Sequence, residues 1–153
     1  MKFQLVETGV EHPDFVELVH QLDEYYYMRF RDIVLNYQQH HDLSTMKCGV
    51  VAYVDGQPAA CGALKVYNET SVEMKRIFVR SEFRRQGLAS QIMKTLEKLA
   101  IEQGFAYAVL ETGAEMKDAI RFYQKIGYEV IPNFGSFIGD DVCICFGKPL
   151  LAQ

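Results

Sequence analysis

Between Val72 and Ser90 the chain reads VEMKRIFVRSEFRRQGLAS, an apolar run that gives way to a charged turn and then to a long amphipathic stretch. Val72 to Val79 predicts a strand and Ser81 to Gln86 a polar turn. Gly87 to Gln103 predicts a helix whose apolar stripe is Leu88, Ala89, Ile92, Met93, Leu96, Leu99 and Ala100. Gly104 ends it as a residue free to turn left-handed. Another strand follows from Phe105 to Leu110, so the two strands should lie parallel with a right-handed crossover through the helix. A strand–helix–strand unit of this kind belongs to a mixed α/β fold with one central sheet flanked by helices.

The remaining elements extend that sheet. Phe3 and Leu5 alternate in a first strand, and Pro13 followed by Asp14 starts a helix. Phe15, Leu18, Val19 and Leu22 carry its buried face, and helical character runs on through Tyr25 to Tyr37. Val50 to Val54, the Asp55-Gly56 turn and Ala59 to Val66 predict a hairpin, which makes an antiparallel meander with Val72 to Val79. Met116 to Ile126 reads as a short helix ended by Gly127, and Tyr128 to Ile131 and Val142 to Phe146 as closing strands. No repeat, low-complexity tract or Pro/Ser-rich linker interrupts the chain, so residues 1–153 are expected to form a single domain.

The start of the second helix has a specific physical character. The first turn of a helix leaves its N–H groups without internal partners, and the macrodipole adds partial positive charge there. Gly87 lets backbone approach a phosphate, Ala89 keeps the next turn small, and Arg84 and Arg85 can pair with phosphate oxygens. Together they describe a pyrophosphate cradle. The alternative is that Gly87 merely eases a turn and the arginines form a solvated face. The segment is neither a P-loop nor a G-x-G-x-x-G fingerprint.

Composition narrows the partners. With 49% hydrophobic and 24% charged residues the chain has the balance of a soluble globular protein. A net charge of −4 argues against nucleic acid as the main partner and weakly favours a cationic one. No apolar run reaches the roughly 20 residues of a membrane span. MKFQLVETG has neither the apolar stretch nor the cleavage site of a signal peptide. Cys48, Cys61, Cys143 and Cys145 form no C-x-x-C pair. Cys143 and Cys145 should share one strand face as small core residues, and a reducing cytoplasm is the expected compartment. His40-His41-Asp42 has no evident third ligand, so no metal is expected.

The R-x-x-G-x-A element at Arg84 to Ala89, after a strand and before a helix, resembles the acyl-CoA-binding motif of the GNAT superfamily of N-acetyltransferases. A second match lies downstream, in Leu110-Glu111-Thr112-Gly113, Ala119-Ile120-Arg121-Phe122-Tyr123 and Gly127-Tyr128. The resemblance covers roughly residues 50–150 and implies a mixed sheet of about seven strands, splayed between the fourth and fifth. It further implies acetyl-CoA as cosubstrate and an amine acceptor. The pyrophosphate would sit on the backbone of Arg84, Arg85, Gln86, Gly87, Leu88, Ala89 and Ser90. Pantetheine would lie along Ile77, Phe78 and Val79, and Tyr123 would stand near the CoA sulfur as general acid. Many members carry Asn or Gln seven residues before that tyrosine, where this chain has Met116, so a polar contact to the cofactor or helix start is missing there.

Acyl transfer to an amine also needs a base. An amine of pKa about 10.4 is neutral in only about one molecule in a thousand near pH 7.4. Glu73 and Glu111 are the candidates, Glu73 alternating with Lys75, Ile77 and Val79 on one strand face and Glu111 ending the next strand. The plainer roles are a cross-strand ion pair for Glu73 and a helix cap for Glu111. Tyr25-Tyr26-Tyr27 with Phe30 reads equally as core or as an acceptor wall. The loop from Asn133 to Asp141 reads as another edge of the acceptor site, with Asp140 and Asp141 able to hold a cationic amine. The expected activity is N-acetylation of a small or amino-acid-like amine. Acetylation of a protein or peptide, and a non-catalytic acyl-CoA-binding module, are the alternatives, and a homodimer is left open.

Overall fold

A computed structural model describes residues 2–37 and 46–150 of the chain. Among them seven strands form one sheet: β1 (Phe3–Thr8), β2 (Cys48–Val54), β3 (Gln57–Val66), β4 (Ser71–Val79), β5 (Tyr107–Gly113), β6 (Glu129–Ile131) and β7 (Cys143–Pro149). Three helices flank it, α1 (Pro13–Tyr37), α2 (Leu88–Glu102) and α3 (Lys117–Lys125). The spatial order is β1-β2-β3-β4-β5-β7-β6. Among the described strands only β4 and β5 pair in parallel, as expected of strands joined through a helix.

That parallel pairing is brief. Ser71, Val72 and Glu73 face Tyr107, Ala108 and Val109, and beyond them β4 and β5 separate. β5 nevertheless continues to Gly113, three residues past the expected end at Leu110, because β7 pairs with it all the way to Gly113↔Cys143. At its other end Phe105 is taken out of the strand. Its N–H donates to the carbonyl of Ala100 at 3.0 Å across Gly104, whose φ of 91° only glycine adopts readily.

The expected alternation along β4 is broken. Across β3, Cys61 faces Phe78 and Ala63 faces Lys75, so Gly62 alone opposes both Arg76 and Ile77. Arg76 is the extra residue of a β-bulge, at φ 60°. The bulge reverses the pleat. Glu73 and Lys75 point to one face of the sheet, whereas Ile77 and Val79 pack with α2 on the other. A Cβ on Gly62 would lie 2.6 Å from Ile92, 2.8 Å from Ile77 and 2.9 Å from Leu96. Gly62→Val should therefore destabilise the fold by about 1–3 kcal/mol through overpacking, seen as a lower urea midpoint at unchanged m-value.

The two faces bury separate cores. Leu88, Ile92, Met93, Leu96 and Ala100 of α2 pack with Val50, Leu64, Met74, Leu110 and Phe146, and Tyr123 and Tyr128 join them. Burial of each such aliphatic side chain contributes about 1.5–3 kcal/mol, which holds α2 and its N-terminus against the sheet. On the opposite face Phe15, Leu18 and Val19 of α1 pack on Val51, Cys61 and Ala63. Cys143 and Cys145 share a strand face, as expected, in a small cluster under Phe137. All four cysteines are free and buried, and burial pushes the Cys61 thiol up to about 12. No described helix is long and apolar enough to cross a membrane.

Candidate active site

The separation of β4 from β5 opens a cleft of about 1240 Å³. One end is the turn into α2. Arg85 takes φ 64° and Gly87 φ 79°, and Gly87 serves as N-cap without any side-chain hydrogen bond. The first N–H groups of α2 are consequently left to whatever anion meets them. A Cβ on Gly87 would project into open space, so the glycine is required by its left-handed backbone rather than by a neighbour. Arg84, Arg85, Gly87, Leu88, Ala89 and Ser90 all line the cleft, as do Ile77, Phe78 and Val79 of β4. Gln86 is the exception among the candidate cofactor residues and is exposed outside the cleft lining. Leu88 is buried in the core, so only its backbone is available. These features fit an acyl-CoA: exposed helix-start N–H groups, two cations and a left-handed glycine suit a pyrophosphate. The Arg84 side chain bonds the Val79 carbonyl at 3.2 Å and stacks its guanidinium 5.4 Å from the Tyr25 ring, which ties the turn to both β4 and α1.

At the centre of the cleft the two sheet faces meet. Glu73, Lys75 and Glu111 project to the face away from α2. Glu73 and Lys75 are both buried and their side chains pair at 3.3 Å. The plainer expectation for Glu73, a cross-strand pair, is replaced by this same-strand partner, two residues along on the same pleat. Glu111 does not cap α3, whose N-cap Met116 has no side-chain hydrogen bond; the Thr112 hydroxyl reaches the Met116 sulfur at 3.8 Å. The missing polar contact at the helix start is thus visible in the geometry. Burial raises the Glu111 carboxyl to about 7, with Lys75 pulling it down and Glu73 and Asp140 pushing it up.

Tyr123 reaches the cleft from the other side. Its ring is buried against Phe122, Tyr128 and Phe146, with centroids 5.2, 6.1 and 6.1 Å away. Burial pushes its hydroxyl well above the usual tyrosine range, and the nearby Tyr26 and Glu111 add to the shift. Tyr128 is in turn anchored by its hydroxyl to Glu97 at 2.8 Å, which Lys148 also holds at 3.1 Å.

The aromatics that read equally as core or as an acceptor wall divide in the structure. Tyr25 and Tyr26 line the cleft, while Tyr27 is 44% exposed and lies outside its lining. The side chain of Phe30 and the run His40-His41-Asp42 lie outside the described residues. In the late loop Asn133 donates to the carbonyls of Phe137 (3.0 Å) and Asp140 (2.7 Å), folding the segment over β7. The Asp140 carboxylate accepts from the Val142 N–H at 3.0 Å, and it is Asp141 that lines the cleft. Among the lining residues that sequence pattern did not single out for the site are Lys75 and Arg76. Charges embedded in an otherwise apolar strand were the available signal. Arg76 is buried, and its guanidinium bonds Asp23 of α1 and the Val19 carbonyl.

Comparison with known proteins agrees with this geometry. Residues 13–128 match the model of the acetyltransferase (GNAT) family. Thialysine N-epsilon-acetyltransferase of Caenorhabditis elegans is 26% identical over 135 residues, covering 82% of each chain. N-acetyltransferase 8 of Homo sapiens is 35% identical over 72 residues, 44% of this chain, and the match spans only 32% of that longer protein. The fold of the PaiA N-acetyltransferase from Thermoplasma acidophilum, solved with coenzyme A, superposes with a TM-score of 0.76 at 13% identity. That match covers 97% of this chain and 99% of that one. With the family model spanning most of the sequence, and a sheet split beside a glycine-capped helix start, the chain belongs to the GNAT family of acetyltransferases.

Proposed function

We propose that this acetyltransferase uses acetyl-CoA to acetylate a primary amine of a small-molecule or amino-acid-like acceptor. The observation that carries the reading is the meeting of Glu111, Glu73 and Tyr123 at the β4/β5 split, in the same cleft as the Gly87 helix start. Arg84, Arg85 and the backbone from Gly87 to Ser90 hold the pyrophosphate, and the edge of β4 at Ile77 to Val79 takes the pantetheine arm. Acetyl-CoA, when bound, supplies an acyl thioester.

Glu111 is the better of the two candidate bases. Glu73 is already engaged by Lys75, whereas the raised Glu111 carboxyl is poised to take a proton near neutral pH, directly or through one water. The amine loses that proton as its nitrogen bonds to the acyl carbon. The carbon–sulfur bond breaks, and Tyr123 gives its hydroxyl proton to the departing thiolate. The position of Glu73, buried, and Glu111, half-buried, in the cleft that Tyr25 and Tyr26 also line favours a slender primary amine over a bulky chain.

The direct test has two stages. Mass spectrometry of the purified protein should detect bound CoA. Free-thiol release should then appear only with acetyl-CoA plus a suitable primary amine from a panel of small amines and peptides. Failure to bind CoA ends the proposal, and release supported by peptides alone overturns its acceptor class. Gly87→Val forces a β-branched residue to φ 79° at the cradle. It should raise the KM for acetyl-CoA at least about tenfold, equal to roughly 1.4 kcal/mol of lost binding. An unchanged KM in steady-state kinetics would remove the cradle from this turn.

A further inference from the structure

The register of β4 and β5 singles out one more residue. Their last pair is Glu73↔Val109, so the next same-face positions are Lys75 and Glu111. The sheet splits before these two can pair through the backbone, leaving an ammonium and a carboxylate on opposite lips of the cleft. Lys75 is buried, bonded to Glu73 at 3.3 Å, with its ammonium 5.9 Å from the centroid of the Phe137 ring. A lysine rarely stays buried without a partner, and this one has a carboxylate on its own strand and another across the gap.

We infer that Lys75 is a positioning residue that, from across the β4/β5 gap, holds the Glu111 carboxyl in its proton-accepting state. This rests on the proposed role of Glu111 as base. The groups that face Glu111 are Lys75 and Glu73 from β4, Asp140 from the late loop, Tyr123 from α3 and Cys145 from β7. Lys75 is the cation among these. The two carboxylates near Glu111 oppose its ionisation, so without Lys75 the cluster would carry negative charge alone and Glu111 would retain its proton to higher pH.

The test is the pH dependence of kcat in the full-length protein, with acetyl-CoA saturating and the best amine of the panel. Lys75→Met should move the rising acid limb upward by about one pH unit, and Lys75→Arg should bring it back towards the parent position. A structural role alone would lower activity at every pH and leave the limb in place. Lys75→Met combined with Glu73→Gln removes the buried pair together, which guards against misfolding from an orphaned carboxylate. Its limb should also lie above the parent's. An unmoved limb in both methionine variants overturns the inference. Glu111→Gln separates the two levels. If its acid limb persists unchanged, the base assignment itself fails; if it disappears while Lys75→Met leaves the limb unmoved, only the role of Lys75 falls.

Discussion

Glu111→Gln is expected to lower kcat by about 10²- to 10⁴-fold, the usual contribution of a positioned general base. The substitution keeps the shape of the side chain and removes its proton affinity, so the loss should fall on kcat with little change in the KM for acetyl-CoA. The same change should alter stability in a pH-dependent way. Glu111 is raised from 4.5 to about 7 in the folded chain. Between those values the folded state binds the proton more tightly than the unfolded one, so the wild-type chain loses stability as pH rises through that window. Above about 7 the loss is complete; below 4.5 it is absent. The glutamine variant should therefore melt higher than wild type at pH 8 and level with it near pH 4, read by calorimetry. Equal melting temperatures at both pH values would mean that Glu111 carries no raised pKa.

Tyr123→Phe should reduce kcat by at most about 10²- to 10³-fold. The thiolate it serves has a parent pKa near 8.5 and leaves tolerably well without help, which caps the effect. The ring contacts to Phe122, Tyr128 and Phe146 survive the loss of one hydroxyl, so the melting temperature should stay close to that of wild type. A variant that folds and turns over at the wild-type rate would remove Tyr123 from the chemistry. Glu111→Gln and Tyr123→Phe impair the two proton transfers of one reaction, and their combined loss should be less than the product of the two.

Much of the fold was legible because its signals are local. The stripe of Leu88, Ile92, Met93 and Leu96 reads as a helix at any position in any protein, and Asp55-Gly56 reads as a turn between two apolar runs. The polar start of α2 was equally local, since a left-handed glycine after two arginines depends only on its neighbours. What local pattern missed has a common cause. The bulge at Arg76 reversed the faces of Ile77 and Val79, and nothing in the alternation of β4 announces an inserted residue. The insertion of β7 between β5 and β6 sets the far end of β5, and that is a matter of which strands find each other in space.

The chain by itself thus determined the strand–helix–strand unit, its anion-suited turn and the family to which those motifs are similar, because periodicity and turn chemistry act within a few residues. Only the tertiary structure decided which charges share the cleft. Lys75 and Glu111 are 36 residues apart in the sequence, and Tyr123 approaches from the other face of the sheet. They come together because two parallel strands part after three paired residues, and the electrostatics of that gap depend on distances that no local spacing encodes.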